Sequence, residues 1–283
     1  MSSVQANIFG DAEHNDVVEI ETNGRILRPL LELPRALVDE LKLRVTDDGL
    51  QATAVDPANV AMVEFNTTTA AFDAFDLDTS AVLGVNIERL RKRAKRARMR
   101  KNDPDPITLD LDQRRALVTT ERDYADTTVR QTDELQLIDP DVIRQEPDIP
   151  EMELDYSATV DVRAFNDTVQ ALDTSGDHIE LAENDDALTL SVNGDSRALA
   201  DFGHIADPVG EPNPGSSSMF SNDYLTDITS GLKKAKIDTV TLRWGDSFPL
   251  FLDFERTLED GDEEQTAYSG RYMLAPRIEG DDE

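Results

Sequence analysis

The chain closes on Tyr272-Met273-Leu274-Ala275-Pro276-Arg277-Ile278-Glu279-Gly280-Asp281-Asp282-Glu283, an apolar strand ending in Ala-Pro, a basic residue and isoleucine, then an acidic tail. Working back from it, Pro249 to Glu255 and Thr239 to Trp244 read as strands, and Asn222 to Leu232 as the helix before them. The same order precedes it. Thr159 to Val162 is a strand, Ala164 to Leu172 a helix, and Ile179 to Leu181, Ala187 to Val192 and Arg197 to Ala200 are strands parted by polar turns. In the first half, Val17 to Thr22 alternates as a strand, and Leu41 to Val45 and Leu50 to Ala54 form a hairpin around Asp47-Asp48-Gly49. Arg25 to Val38 has helical spacing, but Pro29 and Pro34 each remove a helix hydrogen bond at a cost of about 3 kcal/mol, which predicts a short or kinked helix. A strand-helix-strands unit is thus used four times, two per half. Periodicity alone gives an α+β class with much antiparallel sheet. Asp207 to Ser218, rich in Pro, Gly and Ser, and acidic Leu258 to Ala267 read as exposed loops.

Two further stretches sharpen this. Val55-Asp56-Pro57-Ala58-Asn59-Val60-Ala61-Met62-Val63 and Leu137-Ile138-Asp139-Pro140-Asp141-Val142-Ile143-Arg144-Gln145-Glu146-Pro147-Asp148-Ile149-Pro150 lie, in that order, ahead of the closing strand. Together the three resemble the proliferating cell nuclear antigen family, the DNA polymerase sliding clamps of archaea and eukaryotes. The first stretch looks like a strand pair of the family's first domain, the second like its interdomain connector. The resemblance implies a duplicated clamp fold with helices inside and antiparallel sheets outside a trimeric ring. Its parts would be an N-terminal extension (1–16), a first clamp domain (17–137), a connector (138–155) and a second clamp domain (156–283) with the acidic tail.

Charge sets the surroundings. With 59 acidic against 28 basic residues the net charge is -31, and self-repulsion of that size destabilises a compact chain unless counterions screen it. A high-salt cytoplasm, in a halophilic archaeon or one of its viruses or plasmids, is the expected setting. An acidic disordered chain is disfavoured, because 39% hydrophobic residues fall into strand and helix patterns. Without cysteine there are no disulfides or thiolate metal sites. No apolar run approaches the roughly 18 residues of a membrane span, so a soluble, cytoplasmic protein is expected.

One run departs from the acidic background: Arg89, Arg91, Lys92, Arg93, Lys95, Arg96, Arg98, Arg100 and Lys101, with no acid among them. Asn86 suits an N-cap, Glu88 the positive helix start, and Asn102-Asp103-Pro104 a stop. Ile87, Leu90, Ala94 and Ala97 form a narrow apolar stripe for packing on a sheet. Such a helix either pairs with acidic neighbours or faces an anionic partner, since like charges at i to i+4 repel. The family resemblance implies the second, with duplex DNA bound through phosphate and without base reading.

Carried over by position, the family's channel-lining basic residues fall on Arg28, Arg35, Lys92 and Lys95, with Arg89, Arg91, Arg96 and Arg98 on the same expected helix. In the second half the match weakens. Asn166, Asp167 and Gln170 stand on one helix, Asp223 and Ser230 on the other, with Lys233, Lys234 and Lys236 close behind, so the expected DNA contact is concentrated on the first half. The resemblance also implies a pocket for partner peptides at Val55, Asn59, Val60, Val142, Ile149, Pro249, Met273, Ala275, Pro276 and Ile278, which would bind apolar anchors and add a strand. The plain alternative is that these residues are core. Thr127 to Leu135 and Arg197 to Phe202 match strands that pair between ring subunits.

His14, His178 and His204 show no metal-ligand spacing, and neither a phosphate loop nor a nucleophile motif is present. The expectation is a non-enzymatic homotrimeric clamp without cofactor or membrane association, binding polymerase, clamp loader and other proteins that carry clamp-binding peptides. Two alternatives stay open: an accessory clamp encoded by a virus or plasmid, and a metal-dependent nucleic-acid enzyme.

Overall fold

The computed structural model describes residues 17–100, 103–145, 152–193, 197–209, 211–260 and 263–277. The expected 1–16 extension, Ile149 and Ile278 lie outside these residues. Four units follow one another. The first comprises β1 (Val18–Asn23), α1 (Gly24–Leu30), α2 (Glu32–Arg35), β2 (Glu40–Thr46), β3 (Gly49–Val55) and β4 (Ala61–Thr67), with a short β5 (Ala74–Leu77) after it. The second is β6 (Ala81–Asn86), α3 (Ile87–Ala94), β7 (Pro106–Leu111), β8 (Arg115–Tyr124) and β9 (Thr127–Gln136). The third is β10 (Tyr156–Asp161), α4 (Val162–Asp173), β11 (His178–Asn184), β12 (Ala187–Asn193) and β13 (Arg197–Asp201), trailed by the two-residue β14 (Asp207–Pro208). The fourth is β15 (Ser217–Ser221), α5 (Asn222–Lys234), β16 (Thr239–Trp244), β17 (Leu250–Asp260) and β18 (Glu263–Leu274).

Each unit gives its first strand away. β1 pairs with β7 rather than β2, and β6 returns the exchange by pairing with β2. In the second half β10 pairs with β16 and β15 with β11. No unit can therefore complete its own sheet, so two units must fold together as one half. The halves are then joined by backbone pairing of β18 with β4, from Leu274↔Ala61 to Tyr268↔Thr67. That pairing builds a nine-stranded sheet, ordered β14-β10-β16-β17-β18-β4-β3-β2-β6, between a five-stranded sheet ending in β9 and a four-stranded sheet ending in β13. The closing strand of the chain is thus an inner strand of its largest sheet.

The helices make a row, α4 against α5, α5 against α2 and α2 against α3. Pro29 and Pro34 divide the first helical segment as expected into α1 and α2, and Pro34 sits in the first turn of α2, where its missing N–H is not needed. At the seam α5 approaches α2 so closely that a Cβ on Gly231 would lie 3.0 Å from the Ala36 Cβ and 3.3 Å from the Glu32 carbonyl oxygen. A side chain there would require α2 to give way by a few tenths of an ångström. The Ile138 amide bonds the Gly84 carbonyl at 2.8 Å, which docks the start of the connector on the first half.

The second expected loop is corrected, and the first, among its described residues, is largely exposed up to Gly215 but not at its end. Leu258 to Ala267 belongs largely to the β17/β18 hairpin, with Leu258 opposite Gln265 and Ala267 buried. Strand pairing tolerates its acidic composition because the ladder uses backbone groups. Asp207 to Ser218 contains β14, and it carries Ser216 and Ser218 into the interior. Their hydroxyls are satisfied there: Ser216 Oγ donates to the Asp155 carboxylate at 2.6 Å, and Ser218 Oγ to the Gly245 carbonyl at 2.9 Å. Among the described residues, no helix is long and apolar enough to cross a membrane.

Candidate functional site

Helix α3 starts as its sequence predicts, with the Asn86 side chain accepting from the Arg89 amide at 2.9 Å. It stops earlier, at Ala94 rather than near Lys101. The Arg96 and Ala97 amides bond the carbonyls three residues back, tightening the last turn, and Asp105 then captures the Arg98 amide at 3.0 Å. The stripe of Ile87, Leu90, Ala94 and Ala97 is buried, as its spacing requires.

Most of the arginines are paired within the chain, Arg91, Arg96 and Arg98 among them. Arg91 is 8% exposed and bonds Glu88 at 2.8 Å and Glu32 at 3.2 Å. Arg96 pairs with Asp133. Arg98 meets Asp105 at 2.8 Å, and Arg122 joins the same carboxylate at 3.0 Å. Hydrogen bonding from Arg91 is the main reason that Glu88 titrates at about 2, supported by Arg35 and Lys92. Burial pushes Asp105 up, but Arg98 and Arg122 outweigh it and hold the carboxyl at about 2. Glu88, Asp103 and Asp105 flank the run, whereas Glu32 and Asp133 come from elsewhere in the chain, where the local sequence does not show them.

What stays exposed is a row on one helix face, Arg89, Lys92 and Lys95, with Lys92 65% exposed and 3.7 Å from Glu88. Arg28 donates to the Ala97 carbonyl at 2.9 Å, and Arg35 bonds Glu88 at 3.3 Å and Glu32 at 3.4 Å, so these two brace the helices as well as carrying charge. On the second half, Asn166 is buried and Lys233 is tied to Asp167 at 2.8 Å. Lys234 is exposed at the end of α5, and Lys236 lies beyond it with φ 64°, the left-handed turn that closes a helix. Asp223 and Asp227 are also exposed on α5. The cationic character of the helix row therefore belongs mainly to the first half.

Two of the apolar candidates, Val55 and Met273, share one cross-strand row of the large sheet, set by strand register. Val55 opposes Met62, Met62 opposes Met273, and Met273 opposes Phe251. Met62 and Phe251 escape a sequence reading because pairing across four strands sets this row. The Phe251 ring lies under the guanidinium groups of Arg243, at 5.4 Å, and Arg271, at 5.2 Å. Beyond the row the Ala275 amide bonds the Val60 carbonyl at 2.8 Å and the Arg277 amide bonds the Met219 carbonyl at 2.7 Å, holding Pro276 between them. Val60, Pro249, Met273, Ala275 and Pro276 are half-buried, Asn59 is exposed with φ 59°, and Val142 is 75% exposed. Val55 is 8% exposed and serves as the floor.

Among the strands that end the three sheets are β9 in the first half and β13 in the second. Each carries an exposed apolar side chain, Val129 at 47% and Leu199 at 69%. His178 lies against Arg277, and His204 contacts the Asp185 carbonyl at 2.9 Å, so both are surface residues.

Four exchanged units, three antiparallel sheets and a helix row with one cationic stretch are the build of a sliding clamp. The proliferating cell nuclear antigen N-terminal domain family matches residues 18–143. A DNA polymerase sliding clamp of Natronomonas pharaonis is 34% identical over 94% of this chain and 98% of its own length. One from Haloarcula marismortui is 33% identical over 94% and 99%. Among solved structures, the A. fulgidus PCNA bound to the C-terminal region of FEN-1 is 28% identical with a TM-score of 0.74, covering 93% of this chain and all of that one. PCNA from Thermococcus kodakaraensis, 24% identical with a TM-score of 0.75 and covering 92% of this chain and 100% of that one, shares the fold. This chain belongs to the DNA polymerase sliding clamp family.

Proposed function

We propose that the chain is a processivity factor: a homotrimeric ring that encircles duplex DNA and tethers DNA polymerase and other replication and repair proteins. Residues 17–137 and 156–283 act as its two clamp domains, joined by 138–155. The observation that carries this is the placement of Arg89, Lys92 and Lys95 on the helix row while the edge strands β9 and β13 lie one in each half. Edge pairing of β9 with β13 of the next subunit is a heterologous contact, and a ring closes it. Exposed lysine and arginine then meet phosphate without reading bases. The ring does no chemistry. It raises the local concentration of partners that would otherwise leave the template.

The net charge of -31 suits a high-salt cytoplasm, where counterions screen repulsion between subunits. A second reading, an accessory clamp that modulates a host clamp, is favoured by the acids Asp167, Asp223 and Asp227 on the second-half helices. Light scattering in molar potassium chloride tests the main reading together with polymerase extension on primed circular DNA. Three subunits and longer products are expected; a monomer that leaves product length unchanged would refute it.

A further inference from the structure

We infer that Tyr224 is a positioning residue for the partner-peptide surface, acting through Asp56 from the opposite half of the chain. The proposal rests on the peptide surface described above.

Asp56 follows β3 and is 2% exposed. One carboxylate oxygen accepts from the Val60 amide at 2.6 Å and the Ala61 amide at 2.7 Å, the other from the Ala58 amide at 2.8 Å and the Tyr224 hydroxyl at 2.6 Å. A carboxylate offers about four lone-pair sites. All four are taken, three by the turn it organises and one by a side chain 168 residues away. The backbone of the same residue is held as well, with the Arg144 guanidinium of the connector on its carbonyl at 2.7 Å. The turn leads directly into the surface, since the Val60 carbonyl accepts the Ala275 amide at 2.8 Å. A path thus runs from Tyr224 in the first turn of α5, through Asp56 and Val60, to Ala275 and Pro276.

The protonation states suit this arrangement. Burial pushes Asp56 up, but the Ala61, Ala58 and Val60 amides and the Tyr224 hydroxyl together hold it below the ordinary aspartate range. Burial first, and Asp56 second, push the Tyr224 hydroxyl up to about 12, so it stays a donor across the working range. If the hydroxyl is removed, one lone pair of a buried carboxylate is left open and the turn loses its only tie to α5 among the described hydrogen bonds. The wall formed by Val60 would then be free to shift relative to Met273 and Pro276.

The test is calorimetric titration of a synthetic peptide with a glutamine and a pair of aromatic residues into the intact trimer in molar potassium chloride. Tyr224→Phe keeps the ring and removes the hydroxyl. It should weaken binding by about two- to tenfold, speed amide exchange at Ala58, Val60 and Ala61, and leave the trimer mass unchanged. Asp56→Asn should weaken binding too, and its loss should not add to that of Tyr224→Phe. Pro276→Asp serves as the control for the surface itself. Wild-type affinity in Tyr224→Phe with loss in Pro276→Asp would overturn the positioning role and leave the peptide surface standing. Wild-type affinity in both would overturn the peptide surface and the positioning role with it, and additive losses in the double variant would overturn the path through Asp56.

Discussion

The Tyr272 hydroxyl donates to the Leu33 carbonyl at 2.7 Å, tying the last strand of the chain to the second short helix of the first half. Both residues are fully buried, and burial pushes the phenol far above its ordinary range, so the bond persists at any working pH. Tyr268 repeats the device by donating to the Ala235 carbonyl at the end of α5, and its oxygen accepts from Arg256 at 2.8 Å. Tyr272→Phe should therefore cost about 1 kcal/mol of stability. Denaturant midpoints at constant high salt would measure it; an unchanged midpoint would mean that this bond adds nothing to the strand pairing and the other contacts between the halves.

The DNA surface should respond unevenly. Lys92→Ala with Lys95→Ala should lower the salt dependence of DNA binding by about 0.9 per lost phosphate contact, shorten polymerase products and leave the melting temperature in place. Arg91→Ala should instead lower stability by about 1 kcal/mol, because it leaves the Glu88 and Glu32 carboxylates with only the longer bonds of Arg35 and the nearby Lys92. Lys233→Ala with Lys234→Ala should affect DNA less than the first-half pair, since Lys233 is already held by Asp167. Equal losses from the two lysine pairs would overturn the first-half bias.

Acid stability should carry the mark of Asp105. Its folded pKa is about 2 against an ordinary 3.8, so the native state favours the charged form. The stabilisation is complete above pH 3.8 and is lost as pH falls through about 2, a contribution of about 2 kcal/mol. Asp105→Asn should flatten the stability profile in that window, as read from urea midpoints at fixed ionic strength. A profile still as steep as that of the wild type would place the acid sensitivity elsewhere.

Removing salt should dissociate or unfold the protein. The -31 charge repels itself over a range that lengthens from about 3 Å at molar salt to about 30 Å at 0.01 M. Thermal melting across a potassium chloride series should fall steeply at the dilute end, and a flat series would contradict the high-salt setting.

On the partner surface, Met273→Asp and Pro276→Asp place a charge in a half-buried apolar site and should weaken peptide binding strongly, by calorimetry. Val142→Asp should do much less, because Val142 is 75% exposed and can keep its charge in water. The reverse order would move the site onto the connector.

Local pattern decided a good deal here. Alternation placed the β2/β3 turn and most strands of the second half, but not β14, β15 or the start of β18. Two prolines divided the first helix, and Asn86 with the stripe Ile87, Leu90, Ala94 and Ala97 marked the start and buried face of α3. These follow from interactions within a few residues, which the chain carries in its order. Composition misled where an acidic stretch pairs as a regular hairpin, as at Leu258, and where polar serines are buried, as at Ser216.

The tertiary structure alone decided the exchange of first strands, the row Val55, Met62, Met273 and Phe251, and which cations remain available. Arg91 and Lys92 are adjacent in the run, yet one is buried against Glu88 and Glu32 while the other reaches solvent. The bond between Asp56 and Tyr224 spans 168 residues. Local periodicity states which face a side chain takes, but the partner on that face is set by register and by how sheets and helices dock. A charge or a hydroxyl acquires its role only when that partner arrives.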